Sequence, residues 1–285
     1  MTVETKEENG WLINAGNSEI FYNQALASAM LLKINQKMPV AICVDNLDKF
    51  KNKVSADYED YVDYIIEYPF GDTSANMPYP QLNQWQLYHV TPFQKNILIE
   101  ADTLVLSDID YVWQLGNTNI QFPTTVVDFR NVPWIPPNVE LFNENNIKTL
   151  HAGIWFFKAN NEESERYFKM LDVVCQNWRQ AFKTYFKPEH VLDFPCLDTL
   201  HSVTVKMLDE YDSYSVTNSN LLSYTLMLNT VEQRWNDIMN TWYIQSFKID
   251  NYRQNGVLKY TEPSVMTEKI FNGIRNHYRS AVAKT

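Results

Sequence analysis

Cysteine is scarce in this sequence of 285 residues. Cys43, Cys175 and Cys196 stand far apart and are odd in number, so neither a disulfide framework nor a metal-ligand spacing appears, which suits a reducing compartment. Long apolar runs are missing too. The longest near the N-terminus, "ALASAMLL" at 25–32, is too short to span a bilayer. The acidic, polar start "MTVETKEENG" is the opposite of a secretory signal. The expectation is a soluble, cytoplasmic protein without a transmembrane segment. Positive charge is in deficit, with 24 Lys and Arg against 34 Asp and Glu and a net charge of −10. Such a surface repels polyphosphate and disfavours broad non-specific nucleic-acid binding. No linker, low-complexity stretch or internal repeat divides the chain.

What is present is an alternation of strand-like and helix-like segments. "WLINA" (11–15), "PVAICVD" (39–45), "YVDYIIEYP" (61–69), "NILIEADTLVL" (96–106), "TTVVDF" (124–129) and "LHAGIWFFK" (150–158) read as strands. Apolar positions between Ile20 and Gln36 form a helical stripe that Ser18 is placed to cap, and residues 80–91 read as a helix ended by Pro92. Beyond residue 161, "EESERYFKMLDVVCQNWRQAFKTYF" reads as one long amphipathic helix with an acidic start, and 196–211 as another. The region from about 212 onward is mixed. This pattern predicts an α/β fold with a mainly parallel central sheet and a helical or irregular C-terminal portion, in a single domain spanning 1–285. Ligands of such sheets bind beyond the carboxyl ends of the strands. Asp45, Glu100 with Asp102, and Asp128 stand there.

Glu100 and Asp102 leave their strand with two carboxylates projecting to one side. A hard divalent ion, Mg²⁺ or Mn²⁺, takes one or two carboxylates together with substrate phosphates, and would neutralise a diphosphate leaving group. The alternative is a loop with two solvated acids. A phosphatase of the haloacid-dehalogenase type is disfavoured, because Glu100 stands where its nucleophilic Asp would be needed.

The run "ILIEADTLVLSDIDYVW" resembles the Asp-x-Asp segment of the GT-A glycosyltransferases, most closely the glycogenin-like family 8 enzymes. "INAGNSEIFYNQALASAMLLK" resembles that family's first strand, turn and helix, "QWQLYHVTPFQK" the approach to the metal strand, and "LHAGIWFFKAN" the strand after the active site. The resemblance covers roughly 11–160. It implies a GT-A (Rossmann-like) fold, with 11–160 as the nucleotide-sugar-binding core and 161–285 as the acceptor side. It also implies transfer of a sugar from a nucleotide-diphosphate sugar to an acceptor hydroxyl, with retention and with Mn²⁺ or Mg²⁺ assisting. Carried over by position, Asn14, Ala15, Asn17 and Tyr22 lie near base and ribose, while Gln84, Glu100, Ala101 and Asp102 lie near metal, ribose and diphosphate. His151, Gly153 and Asp198 approach the sugar, and Lys259 takes part in catalysis.

Several positions depart from the family pattern. Glu100 replaces an Asp, Gln84 a Lys, and His151 an Asn. Lys259, in "GVLKYTEP", stands where the family has a metal-binding His. An ammonium has no lone pair for a metal but can pair with a diphosphate as a point charge. His277 is a substitute ligand or simply a surface residue. Tyr22 and His151 are also readable as packed core side chains, and Asp128 as a solvated acid. Asp108 and Asp110 are expected on the surface beyond the site. The acceptor is a glycan, a protein or a modified nucleic acid. A modified DNA base would need a track such as Arg179, Lys183 and Lys187 with interleaved aromatics, which reads equally as a solvated basic face. A non-catalytic nucleotide-sugar-binding protein on the same fold is the second class.

Overall fold

The computed structural model describes residues 7–16, 19–54, 56–73, 80–114, 119–134, 139–212, 217–227, 240–243, 246–249, 252–261 and 263–284. The predicted cap Ser18 and the predicted site residue Asn17 lie outside the described residues. The chain opens with β1 (Glu7–Asn14), α1 (Glu19–Asn35), β2 (Val40–Val44), α2 (Leu47–Lys53) and β3 (Tyr64–Glu67). A 3₁₀ turn over Pro80–Gln86 runs into α3 (Leu87–Val90), followed by β4 (Phe93–Glu100), β5 (Thr103–Val105), β6 (Ile120–Val127), α4 (Val139–Glu144) and β7 (Ile154–Lys158). Then come α5 (Glu162–Gln176), α6 (Trp178–Tyr185), α7 (Leu197–Asp212), β8 (Thr217–Met227), β9 (Asn240–Tyr243), β10 (Ser246–Ile249), β11 (Tyr252–Gln254), β12 (Val257–Tyr260) and α8 (Glu268–Val282).

Among the described residues the central sheet runs β3-β2-β1-β4-β7-β6-β8-β12-β5, and β9–β11 form a small antiparallel sheet beside it. The β3-β2-β1-β4 block is parallel, as are β6 with β8 and β8 with β12; β7 and β5 run against their neighbours. Trp11, Leu12 and Ile13 are all fully buried, as a strand covered on both faces requires. Their alternation separates two cores. Trp11, Ile13 and Ala15 pack with residues of α1 and α8, whereas Leu12 packs with residues of α5, α6 and α7. The result is a three-layer α/β/α domain.

Helix α1 is apolar around nearly its whole circumference because it is wedged between the sheet and α8. Its few polar side chains stitch it to β5. Ser28 Oγ lies within bonding distance of the Ala101 and Thr103 carbonyls, and Asn35 donates to Val105 O at 2.9 Å.

Four expectations change. Residues 80–91, read as one helix, are a 3₁₀ turn over Pro80–Gln86 followed by only the short α3. The run 96–106 is two strands rather than one, broken at Ala101-Asp102, because β4 ends inside the parallel block while β5 crosses to the far edge to pair with β12. The long helix after 161 breaks at Asn177, whose backbone (φ −123, ψ 26) leaves the helical region. The part beyond residue 160 also supplies β8 and β12 to the central sheet.

Candidate functional site

The parallel register of β1 and β4 places Asn14 directly beside Glu100 at the carboxyl ends of both strands. The turn that follows is fixed from three sides. Ala101 N–H donates to Asn14 O at 3.1 Å, Tyr260 N–H donates to Asp102 O at 2.9 Å, and Ser28 holds the carbonyls on either side of Asp102. Pairing of β12 with β5 sets Lys259 opposite Thr103, and its Nζ donates to Asp102 Oδ1 at 2.7 Å.

These groups open onto a cavity of about 610 Å³, the size range of small-molecule sites. Of the sequence-predicted residues, Asn14, Glu100, Ala101, Asp102, Gly153, Asp198 and Lys259 line it. Gly153 is there for want of room. A Cβ would lie 2.7 Å from the Tyr224 ring and 3.0 Å from Lys259 Cδ. Asp198, in the first turn of α7, accepts from Ala152 N–H at 2.9 Å through Oδ1. His151 stands beside it, Nδ1 3.7 Å from Asp198 Oδ2, with its ring against Trp134.

Other predicted residues lie behind the wall. Ala15 is buried and donates to Cys43 O at 2.9 Å. Tyr22 is fully buried, edge-on to Phe50, with its hydroxyl on Asp45 at 2.6 Å, which is the packed-core reading. Gln84 sits beneath Glu100 and donates to its Oε1. Asp128 is taken up by a turn, accepting from Arg130 and Val132 N–H, and these bonds hold its carboxyl below the usual range despite its burial. Asp108 caps the turn at Asp110. His277 is on α8, no residue of which lines the cavity. The basic track is partly engaged elsewhere: Arg179 lies over Trp178 and Lys187 faces Glu144.

A buried polar chain supports the site. Tyr167 OH bonds His201 Nδ1 at 2.5 Å, His201 Nε2 bonds Gln84 Oε1 at 2.9 Å, and Gln84 passes its amide to Glu100. From the other side Tyr68 donates to Asn14 Oδ1, and Asn14 gives its amide to Glu100. Burial pushes the Glu100 carboxyl up to about 7, against the pull of Lys259 and these amide donors. Burial alone would lower the Lys259 ammonium, but Asp102 and Glu100 outweigh it and hold it above its ordinary value. His201 is pushed down to about 3 by burial, so it is neutral, with Nε2–H toward Gln84 and Nδ1 accepting from Tyr167.

His201, Tyr68 and Tyr224 were not singled out from sequence. His201 carried a usable signal, since it follows Asp198 by three residues on one helix and so shares its face.

The residues present do not fit a divalent ion. Lys259 holds Asp102 through Oδ1, adds a positive charge where a cation would sit and brings no lone pair, while Glu100 accepts from the Gln84 and Asn14 amides. Among the described residues no group of three or more His, Cys, Asp or Glu is placed to hold a metal.

No family model matches the sequence, and comparison with curated proteins finds no match. Solved structures do match. The chain is similar to galactosyltransferase LgtC in complex with donor and acceptor sugar analogues, at 10% identity and a TM-score of 0.51, over 98% of this chain and 96% of that one. An active-site mutant of LgtC matches over the same shares at 9% identity and a TM-score of 0.51. Among the described residues no helix is long and apolar enough to cross a membrane. At these identities the likeness is one of fold, and the fold is an α/β domain with a largely parallel central sheet, of the GT-A type.

Proposed function

We propose that the chain is a glycosyltransferase that moves a sugar from a nucleotide-diphosphate sugar to an acceptor hydroxyl. The observation that carries this reading is the convergence of Asn14, Glu100, Asp102, Gly153, Asp198 and Lys259, from five separate stretches of chain, on one cavity at the carboxyl ends of the β1 and β4 strands. The fold likeness to a galactosyltransferase solved with donor and acceptor sugar analogues supports it.

In the reaction, the bond between the anomeric carbon and the diphosphate oxygen breaks and its electron pair leaves with the nucleoside diphosphate. The acceptor oxygen bonds the anomeric carbon, and its proton passes to the departing phosphate. Asp102 and Asn14 bind ribose and diphosphate, Asp198 and His151 orient the sugar, and Gly153 makes room for the Tyr224 ring and the Lys259 stem that line the cavity beside it. Orientation of the reactants and electrostatic stabilisation of the departing diphosphate supply the rate. The sugar, the base and the acceptor follow from which donor binds and which alcohol accepts.

The test is a panel of uridine, guanosine, cytidine and adenosine diphosphate sugars, followed by melting temperature and by release of free nucleoside diphosphate. A donor at a hundred times its Kd adds about 2.7 kcal/mol of stability. One nucleotide class is expected to stabilise the protein and to be turned over, with turnover lost but binding retained in Asp198→Asn. Stabilisation without any release would leave a nucleotide-sugar-binding protein instead. No stabilisation by any donor would remove the reading.

A further inference from the structure

Lys259 is the only cationic side chain among the described residues that line the cavity, which also holds the carboxylates of Glu100, Asp102 and Asp198. Its pairing with Asp102 is not a solvated surface contact, since the two side chains are only 14% and 18% exposed. The position is built by the fold. Strand β12 delivers Lys259 opposite Thr103, Tyr260 N–H fixes the Asp102 carbonyl, and the missing Cβ of Gly153 leaves the channel through which the lysine stem passes. One ammonium N–H is spent on Asp102 Oδ1. Among the described residues Nζ has no second hydrogen bond, which leaves two N–H groups for a ligand in the cavity.

We propose that Lys259 is the resident cation of this site, bridging Asp102 and the diphosphate oxygens of the nucleotide, so that diphosphate binding requires no divalent ion. The inference rests on the nucleotide-sugar reading above. A cation between a carboxylate and a diphosphate is an electrostatic necessity in an acidic cavity. Here the protein supplies it covalently, on the Asp102 carboxylate itself. The ammonium carries one charge rather than two, and its donors reach phosphate oxygens without the fixed coordination geometry of Mg²⁺.

The test follows melting temperature against uridine, guanosine, cytidine and adenosine diphosphates, each with EDTA, with Mg²⁺ and with Mn²⁺. The expected result is a shift by one diphosphate that is equal in all three conditions. Lys259→Met is expected to weaken that diphosphate by at least about tenfold, the value of a charge-assisted hydrogen bond, while Lys259→Arg keeps part of the affinity. Lys259→His is expected to make Mn²⁺ a requirement, because an imidazole lone pair then stands beside the freed Asp102 carboxylate. Melting of each variant without ligand reads whether its fold holds. On the unaltered protein, Mn²⁺ titration followed by water-proton relaxation is expected to show no saturable site.

A shift in the unaltered protein that appears only with Mg²⁺ or Mn²⁺, or saturable Mn²⁺ binding that Asp102→Asn abolishes, overturns the proposal and leaves the donor reading standing. No shift with any diphosphate under any condition takes down both.

Discussion

At the scale of single residues, Gly153 does the most with the least. Neither its φ nor a turn demands glycine; what demands it is the approach of the Tyr224 ring and the Lys259 stem. Gly153→Ala places a methyl inside both, and overpacking of this kind costs about 1–3 kcal/mol. Denaturant unfolding is expected to register that loss. Titration with the stabilising nucleoside diphosphate is expected to show weaker binding, because the methyl pushes the lysine off its line to Asp102. Unaltered affinity in a folded Gly153→Ala protein would mean that the ammonium reaches its position by another route. The carboxylates Glu100 and Asp102 were legible in the sequence from the strand end they leave, and Asp198 only through the family resemblance. The support beneath them was not, because Gln84 and His201 meet across 117 positions of chain and no local pattern encodes that meeting.

At the scale of elements, the first strands and the first helix were legible because their apolar runs are unambiguous: "WLIN", "VAICV" and the apolar α1 are buried in any arrangement that gives them two covered faces, whereas β8 to β12, beyond residue 212, were not read as strands. The division of 96–106 into β4 and β5 was not legible, since both halves are apolar and β-branched and only the partner strand distinguishes them. The same holds at Asn177, where the helical pattern runs on although the backbone breaks. The turn between β4 and β5 depends on α1 through Ser28, which reaches the Ala101 and Thr103 carbonyls. The hydroxyl has a single proton to share between those carbonyls, so Ser28→Ala removes one donor from the turn, a loss of about 1–3 kcal/mol. Hydrogen exchange is expected to quicken at the Ala101 and Tyr260 amides, which bond across the turn, while Leu12 keeps its protection. Equal protection at all three would show that the turn holds without the serine.

At the scale of the whole molecule, the core between the sheet and α5–α7 contains a titratable group that must stay neutral. His201 is wholly buried among Phe122, Trp155 and Tyr167, with Gln84 on one ring nitrogen. Burial, opposed only by the charge of Asp198, lowers it from 6.5 to about 3. In the unfolded chain the imidazole takes a proton near pH 6.5, and in the folded protein it does not until about pH 3. Between those values the unfolded state binds more protons, so stability is fully present above pH 6.5 and falls as pH drops through the window, by up to about 1.4 kcal/mol per unit. Unfolding free energies between pH 7 and 4 are expected to decline more steeply for the natural protein than for His201→Gln. Parallel slopes would show that the histidine titrates alike in both states.

The ion pair of Lys259 with Asp102 joins positions 157 residues apart where β12 pairs with the edge strand β5. Closing so distant a contact carries more loop-closure cost than the local contacts do, and it requires β12 docked beside β5. The binding site thereby acts as the molecule's own proofreader: a chain stalled with β12 undocked can possess nearly all of its sheet and still grip no diphosphate. A nucleotide added during refolding is expected to count molecules with β12 docked rather than merely compact ones.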